Sequence, residues 1–363
     1  MKKIYTSIVA AAVLSTGAYA ESNSIKDAFA NGKTSGDISL YSEYVSKSGT
    51  NKNSAFTMSS IGLNYETDSF KGLKAAIGGR TNHKLHEKEN ADFDETTPKT
   101  ALSTANISYS TDKATIIAGR QAIDLEWISD YHEAVVGVLS YVPDTTIVVG
   151  HTERFMAVDT DTALAKMADI GTHGANVIDV KYEGIANTVI NPYFMDANKL
   201  FSAYGLKATT TVANVDLTAH YAATNEDTLA NNGYIGHLEI GTTISDISFA
   251  AGYITTDKDV GVGSIAALGD NIDPTEDIGG NIYGADADTF YGNISAEVAS
   301  INLSAQYATV EYGTTNSRDS EILLTAGTAI TDELSLSLLY SSVNAELSAN
   351  DTDKVTFMAA YTF

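Results

Sequence analysis

The sequence predicts an all-β fold, a transmembrane antiparallel β-barrel of about 18 strands with short periplasmic turns and long extracellular loops. Three observations predict it. The final stretch, 354–363, places an apolar or aromatic residue at every second position and ends on Phe363. The same period of two recurs along most of the chain, and the chain begins with a typical export signal. A barrel whose last strand pairs with its first leaves no exposed sheet edge.

The first 20 residues have the pattern of a cleaved secretory signal peptide. Met1, Lys2 and Lys3 form a short positive segment, a mostly apolar run follows, and the stretch 18–20 reads Ala-Tyr-Ala before Glu21. The apolar run is too short to span a bilayer as a helix. We therefore assign residues 1–20 to a signal peptide and residues 21–363 to one outer-membrane barrel domain.

The composition favours strands and tight turns. Hydrophobic residues make up 44% of the chain, yet the mean hydropathy is −0.07, because alternating strands average polar and apolar residues in any window. Gly (28) and Tyr (20) are abundant, whereas Pro (4) is scarce, as a hydrogen-bonded ladder requires. The chain has no Cys, so disulfides do not stabilise it.

The charge is strongly acidic. The signal peptide holds two of the 22 basic residues, so the mature chain has 20 basic and 46 acidic residues. This balance excludes nucleic acid as a partner, since a phosphate backbone needs a basic surface. Two interpretations stay open: the carboxylates keep exposed loops hydrated, or they create a field that favours cations.

Alternating segments follow one another as hairpins joined by polar loops. In the first, Ile38, Leu40 and Tyr44 share one face, and Leu334, Leu336 and Leu338 do so near the end. Sixteen strands are the alternative count, because the middle segments alternate less regularly. The eighteen predicted strands are 36–45, 56–66, 72–81, 100–109, 114–121, 134–141, 146–152, 176–182, 188–196, 201–209, 215–223, 234–242, 247–255, 289–296, 301–312, 320–328, 334–342 and 354–363.

A barrel of this width has an interior that side chains cannot fill, so it holds water and is narrowed by specific residues. Alternation predicts that three basic residues point inward, and the loop 122–132 contains acids and the only Trp. We expect this loop to fold into the lumen and its acids to face the basic wall; the alternative is an ordinary surface loop. The predicted constriction residues are Lys74, Arg80, Arg120, Asp124, Glu126, Asp130 and His132.

Three stretches resemble the OprD-like major outer-membrane porins of campylobacterial type. The first, 24–36, reads Ser-Ile-Lys-Asp-Ala-Phe-Ala-Asn-Gly-Lys-Thr-Ser-Gly and is similar to the lead-in of that family. The second is Ala-Gly-Arg-Gln at 118–121, which enters the third loop, and the third is the terminal Tyr-Thr-Phe at 361–363. These motifs cover under a tenth of the chain, whereas the hairpin rhythm covers all of the mature part.

The resemblance implies an 18-stranded homotrimeric channel in the Gram-negative outer membrane, with its third loop narrowing the pore. It also implies contacts with outer-membrane lipid and lipopolysaccharide, and recognition of the C-terminal strand by the barrel assembly machinery. By this resemblance Arg120 and the acids of 122–132 line the constriction. The basic ladder of the substrate-specific members has no residue-by-residue match in this sequence.

The longest loop, about 256–287, raises the question of a metal. Flexible oxygen ligands of this kind suit calcium, but their spacing is not that of an EF-hand. We expect no cofactor, with loop-bound calcium as the alternative, and the seven His are scattered without metal-ligand spacing. The acids in or beside the loop are Asp257, Asp259, Asp270, Asp273, Glu276, Asp277, Asp286 and Asp288.

The leading functional prediction is passive diffusion of small hydrophilic solutes and ions through a porin that prefers cations. A substrate-specific uptake channel is one alternative, and a surface adhesin using loops 83–99 and 256–287 is another. A barrel enzyme would need polar pairs such as Asp216 with His220, or His237 with Glu239. Alternation alone places polar residues at those positions, so we predict no enzymatic activity.

Overall fold

The computed structural model describes residues 22–94, 97–269 and 272–363, so the predicted signal peptide lies outside the described residues. Within them the chain forms eighteen long strands and one two-residue strand, β8. The strands are β1 (Lys33–Lys47), β2 (Ser54–Glu66), β3 (Leu73–Glu87), β4 (Thr100–Ser110), β5 (Ala114–Ala122), β6 (Tyr131–Leu139), β7 (Thr145–Met156), β8 (Ala168–Asp169), β9 (Ala175–Ile185), β10 (Thr188–Ala197), β11 (Phe201–Val212), β12 (Val215–Glu226), β13 (Tyr234–Ile244), β14 (Ile247–Thr256), β15 (Asp288–Val298), β16 (Ile301–Tyr312), β17 (Ser317–Ala329), β18 (Leu334–Asn344) and β19 (Thr352–Thr362).

The long strands close into one antiparallel barrel. Each pairs with its neighbours in the chain, and β1 pairs with both β2 and β19, from Asp37 opposite Thr362 to Lys47 opposite Thr352. The backbone N–H of Gly36 also bonds the carbonyl of Phe363 at 3.0 Å. The predicted closure of the last strand on the first is confirmed, and so is the count of eighteen.

Alternation separates an apolar outer face from a more polar inner face. On β19 the outer face carries Val355, Phe357 and Tyr361, which are exposed, whereas the intervening Lys354 and Thr356 are buried. Successive side chains of a strand point to opposite faces, so an exposed apolar neighbour identifies each inward position. This relation assigns the lumen residues discussed below.

The two rims differ as predicted. One rim, called the turn rim here, has two-residue turns such as Ala213-Asn214 and Ala299-Ser300, in which both residues have positive φ. That conformation matches the twist of a tight hairpin. The opposite loop rim has the longer connections. Three of them fold inward and are named by their order along this rim: L3 (123–130), L4 (157–174) and L7 (257–287).

Helices are few and short. Helix α1 (Ile25–Ala30) lies at the turn rim, where Ser24 caps it and the Ser22 hydroxyl donates to Asp68 at 2.8 Å. Helix α2 (Gly279–Ile282) and the 3₁₀ turn Ile265–Leu268 belong to L7, and a second 3₁₀ turn spans Ser348–Asn350. None of the helices in the described ranges is long and apolar enough to cross a membrane.

Strand ends at the loop rim differ from the predicted ends. Strand β3 continues through His83 to Glu87, where a charged loop was expected, and β6 begins at Tyr131 rather than 134. At this rim the strands remain hydrogen-bonded to their neighbours but no longer have an apolar outer face. Hydrophobic alternation therefore does not mark where these strands end. Register shifts at Gly78/Gly79 and Glu133/Ala134 also interrupt the simple period of two.

Candidate functional site

L3, L4 and L7 fold into the lumen from three sides, and L3 is fixed by its Trp. Trp127 is 0% exposed, and its Nε1–H donates to the Tyr193 hydroxyl on β10 at 2.8 Å. The Tyr193 oxygen also lies 2.8 Å from Nε2 of His220 on β12. Phe194 and Tyr221 are exposed, so Tyr193 and His220 point inward. L3 therefore crosses from β5–β6 to the inner wall of β10–β12.

The tip of L3 is a tight hairpin with an unusual backbone. Leu125 and Ile128 exchange backbone hydrogen bonds of 2.9 and 3.1 Å, which places Glu126 and Trp127 in the turn. Trp127 has φ 64°, a left-handed conformation that costs about 1–3 kcal/mol for a residue with a bulky side chain. Burial of its ring against the wall offsets this strain, so packing rather than turn propensity holds the tip.

Glu126 connects the same tip to a basic residue of the wall. Its carboxylate lies 2.9 Å from Lys207 Nζ on β11 and 3.9 Å from His220 Nε2. Asp124, in the same loop, has its pKa raised by burial, and Lys207 acts in the opposite direction. L3 is thus attached to the barrel wall by the Glu126–Lys207 ion pair and by the hydrogen bonds that link Trp127, Tyr193 and His220.

L7 packs on L3 and widens the obstruction. The Ser129 N–H bonds the Leu268 carbonyl at 3.1 Å, and the rings of Trp127 and Tyr283 lie 5.9 Å apart. Ile265 and Ile282 are fully buried in the same apolar cluster. These contacts place L7 inside the barrel mouth, not on the outer surface where an adhesin loop would project.

Beyond L3, the L7 segment 274–277 reaches the opposite wall. Gln306 on β16 donates to the Pro274 carbonyl at 2.6 Å, and the backbone N–H groups of Glu276 and Asp277 bond the Glu321 carboxylate on β17 at 2.9 and 2.7 Å. Lys354 on β19 pairs with Glu276 and Asp277. L7 thus spans the mouth between β12–β14 and β16–β19.

L4 closes the third side. The Asn82 amide on β3 donates to two L4 carbonyls, Asp159 at 3.0 Å and Thr162 at 2.6 Å. The Thr160 hydroxyl lies 3.7 Å from Sδ of Met358 on β19. L4 begins at β7, so it covers the inner wall of β1–β3 from across the lumen. The sequence predicted a narrowing loop only in L3.

Lys74 and Arg80 lie on the inner wall, but they do not face L3. Lys74 pairs with Glu66 at 2.7 Å near the turn rim. Arg80 contacts the Asp37 carboxylate with two nitrogens, at 2.5 and 2.8 Å, and donates to the Ser60 hydroxyl at 2.6 Å. The expected opposition between these bases and the L3 acids is therefore wrong, because each has a carboxylate on its own wall.

Arg120 is not placed where alternation predicted. In the register it is opposite Ala105 and Glu133, on the face shared by the exposed Ile107 and Ile116, which is the outer one. Its guanidinium pairs with Glu133 at 2.7 Å. The inward assignment of Arg120 is wrong, because in the observed register Arg120 has the same parity as the outward-facing Ile116.

The remaining predicted residues lie at the ends of L3. Asp130 has φ 72°, and its carboxylate accepts from the Ser129 hydroxyl at 3.3 Å. His132 belongs to β6, is fully buried, and bonds the Thr152 hydroxyl at 2.9 Å and the Ser129 carbonyl at 2.8 Å. His132 therefore fixes the base of the loop and does not line the water-filled space.

The inner wall holds more carboxylate than base. Each lumen base described above is paired with a carboxylate: Lys74, Arg80, Lys207 and Lys354. Further inward carboxylates form no ion pair within the described ranges and are held by hydroxyl, amide or backbone N–H groups. They are Glu43, Asp179, Glu239, Asp319 and Glu321.

Among the described residues, the polar pairs considered for an enzyme are either far apart or joined through a tyrosine. Asp216 accepts from Thr211, far from the His220 site under L3, and the Tyr291 hydroxyl joins His237 and Glu239 at 2.8 and 2.6 Å. Among the described residues no group of three or more His, Cys, Asp and Glu side chains could hold a metal ion. Asp270 lies outside those residues, and calcium binding stays untested.

No family model matches the chain, and no curated protein is similar to it in sequence. Solved structures do match. Pseudomonas aeruginosa OpdO is 12% identical, with a TM-score of 0.77, over 93% of this chain and 98% of that one. P. aeruginosa OccK8 (OprE) is 12% identical, with a TM-score of 0.75, over 93% and 99%. The chain has an OprD-like fold.

Another structure with the OprD-like fold was solved with a small molecule. P. aeruginosa OpdK with vanillate is 12% identical to this chain, with a TM-score of 0.73, over 91% of this chain and 98% of that one. At 12% identity the similarity is one of backbone fold, and it does not extend to the side chains that line the lumen. The chemistry of the present channel therefore has to be derived from its own residues.

Proposed function

We propose that the chain is an outer-membrane porin through which small hydrophilic solutes and ions diffuse, with a preference for cations. The observation that carries the proposal is the narrowed lumen of a closed barrel whose outer face is apolar. A continuous apolar band around a closed ladder suits lipid, because every backbone hydrogen bond is made internally. The turn rim then faces the periplasm and the loop rim the outside.

The charge of the wall supports the preference for cations. The lumen bases named above, Lys74, Arg80, Lys207 and Lys354, are neutralised locally, so the carboxylates of β1, β9, β13 and β17 that form no ion pair among the described residues determine the field along the path. Rings of charged side chains discriminate ions by sign in narrow pores. Vanillate is a carboxylate anion, and a wall of this charge disfavours such a solute.

The test is the reversal potential of the purified porin in a planar bilayer under a KCl gradient. We expect a sign that reports K⁺ passing more readily than Cl⁻. Changing Glu43 and Glu239 to Gln together is expected to lower the K⁺ to Cl⁻ permeability ratio. A matched double variant, Glu333→Gln with Asp332→Asn, removes the same charge from exposed positions and should change the ratio less. Chloride preference in the parent would overturn the proposal.

A further inference from the structure

Lys354 is the base that opposes the acidic end of L7. It lies on β19, is 9% exposed, and points inward beside the exposed Val355. Its Nζ is 3.1 Å from Oε1 of Glu276 and is also paired with Asp277. The Ser341 hydroxyl of β18 donates to the second oxygen of Asp277 at 2.6 Å. The far end of L7 thus meets the strand that closes the barrel.

The surroundings of Lys354 are otherwise acidic. The Glu321 carboxylate accepts the backbone N–H groups of Glu276 and Asp277, so three carboxylates lie together at this point. Glu43, on the inner face of β1, is close enough to interact electrostatically with Glu276, Asp277 and Lys354. Like charges at such distances repel, and the Lys354 ammonium offsets part of this repulsion. Without that cation, the carboxylates of L7 and of the wall would repel each other.

The space beside the cluster is open. A cavity of about 760 Å³ lies against it, lined by Lys354 and Asp277 and by carboxylates of β1, β17 and the β18–β19 connection. An L7 segment that leaves Lys354 therefore moves next to existing space and does not have to displace packed side chains.

We propose that Lys354 is a specificity-determining residue of the channel: it holds L7 across the lumen, so the pore width and the strength of cation selection both depend on its charge. This inference rests on the proposed porin function. The role of Lys354 is distinct from the preference for cations, because Lys354 determines the width of the pore and which carboxylates L7 shields from passing ions.

The central experiment compares Lys354→Gln and Lys354→Arg in single-channel recordings. We expect Lys354→Gln to raise the conductance roughly twofold or more and to increase the K⁺ to Cl⁻ permeability ratio, since L7 retracts and uncovers carboxylates. Lys354→Arg keeps the charge and should resemble the parent. Lys52→Gln is the matched control, because Lys52 pairs with Glu89 at 3.0 Å on the exposed loops. Unchanged conductance in Lys354→Gln would overturn the inference.

One spectroscopic measurement and two further variants test the release of L7. Trp127 is the only Trp and its ring contacts Tyr283 of L7, so release of L7 should shift its emission to longer wavelength. The double variant Glu276→Gln with Asp277→Asn keeps Lys354 but removes its partners, so it should widen the pore as well. The charge swap Lys354→Glu with Asp277→Lys restores an ion pair, so its conductance should lie closer to that of the parent than the conductance of Lys354→Gln does. No gain in the acid variant, or no recovery in the swap, contradicts the inference.

The outcomes also distinguish this inference from the proposed function. A parent that prefers chloride, together with a wider Lys354→Gln channel, would overturn the cation preference and keep the role of Lys354. A cation-preferring parent whose conductance and Trp emission do not change when Lys354 is replaced would overturn the role of Lys354 and keep the cation preference.

Discussion

Replacing Trp127 with Ala is expected to release L3 from the barrel wall and to produce a wider, noisier channel. The substitution removes a fully buried ring, which costs about 3–5 kcal/mol in a packed site. The left-handed backbone at this position would lose the packing that offsets its strain, since Ala disfavours the same φ. Single-channel recording measures the effect as increased conductance and increased open-channel current noise.

The matched variant for this prediction is Trp127→Phe. Phe keeps much of the ring volume and removes only the Nε1–H that donates to Tyr193, a hydrogen bond worth about 1 kcal/mol. We expect its conductance to lie near that of the parent. If Trp127→Ala leaves conductance and noise unchanged, L3 is not held by this residue.

Replacing residues 258–286 with a short Gly-Ser turn is expected to increase the conductance several-fold. The change removes the L7 segment that crosses the mouth but keeps strands β14 and β15, whose register runs from Ile247 to Thr255. The Ile265 and Ile282 contacts with the L3 cluster are lost as well, so L3 becomes more mobile. Single-channel conductance and the size limit for uncharged sugars in liposome swelling measure the result.

A control deletion tests whether any shortened loop has this effect. The connection 227–232 at the same rim is exposed, and its shortening should leave the conductance near that of the parent. A narrow pore after removal of L7, with the barrel folded, would mean that L3 and L4 alone set the width.

The barrel itself could be predicted because its signal is local and repetitive. Ile38 and Leu40, or Val355 and Phe357, report the outer face through neighbours in the sequence, and the register confirms each of them. The closing pair of β1 and β19 follows from the same rule, because a closed barrel leaves no strand unpaired. Arg120 shows the limit: alternation counted along the sequence suggested an inward position, whereas the register places Arg120 on the outer face.

The lumen could be predicted only in part. The apolar residues Leu125, Trp127 and Ile128 identified L3 as an inward loop, since exposing such residues to water is unfavourable. The wall partners of Glu126, namely Lys207 and His220, lie more than 80 residues further on and belong to alternating strands where any polar residue fits. Hydrophobic periodicity indicates which face of a strand a residue occupies, but it does not indicate which strands a loop contacts.

L7 shows the same difficulty more clearly. Its many acids suggested a hydrated surface loop, although Ile265, Ile272, Ile278 and Ile282 are distributed among them. Those four Ile are buried in the folded chain, and the recurrence of large apolar residues within an acidic loop was the signal that could have revealed its position. Lys354 gave no signal at all, because a single base on an otherwise regular strand looks like ordinary alternation.

The position of Lys354 on β19 links the closure of the barrel to the attachment of L7. β19 is the last strand in chain order, and it both seals the ladder against β1 and supplies the cation that L7 needs. Without β19, Glu276 and Asp277 lose the pairing with Lys354. One strand therefore both closes the wall and anchors L7, so a barrel that fails to close on β1 through β19 also lacks this anchor.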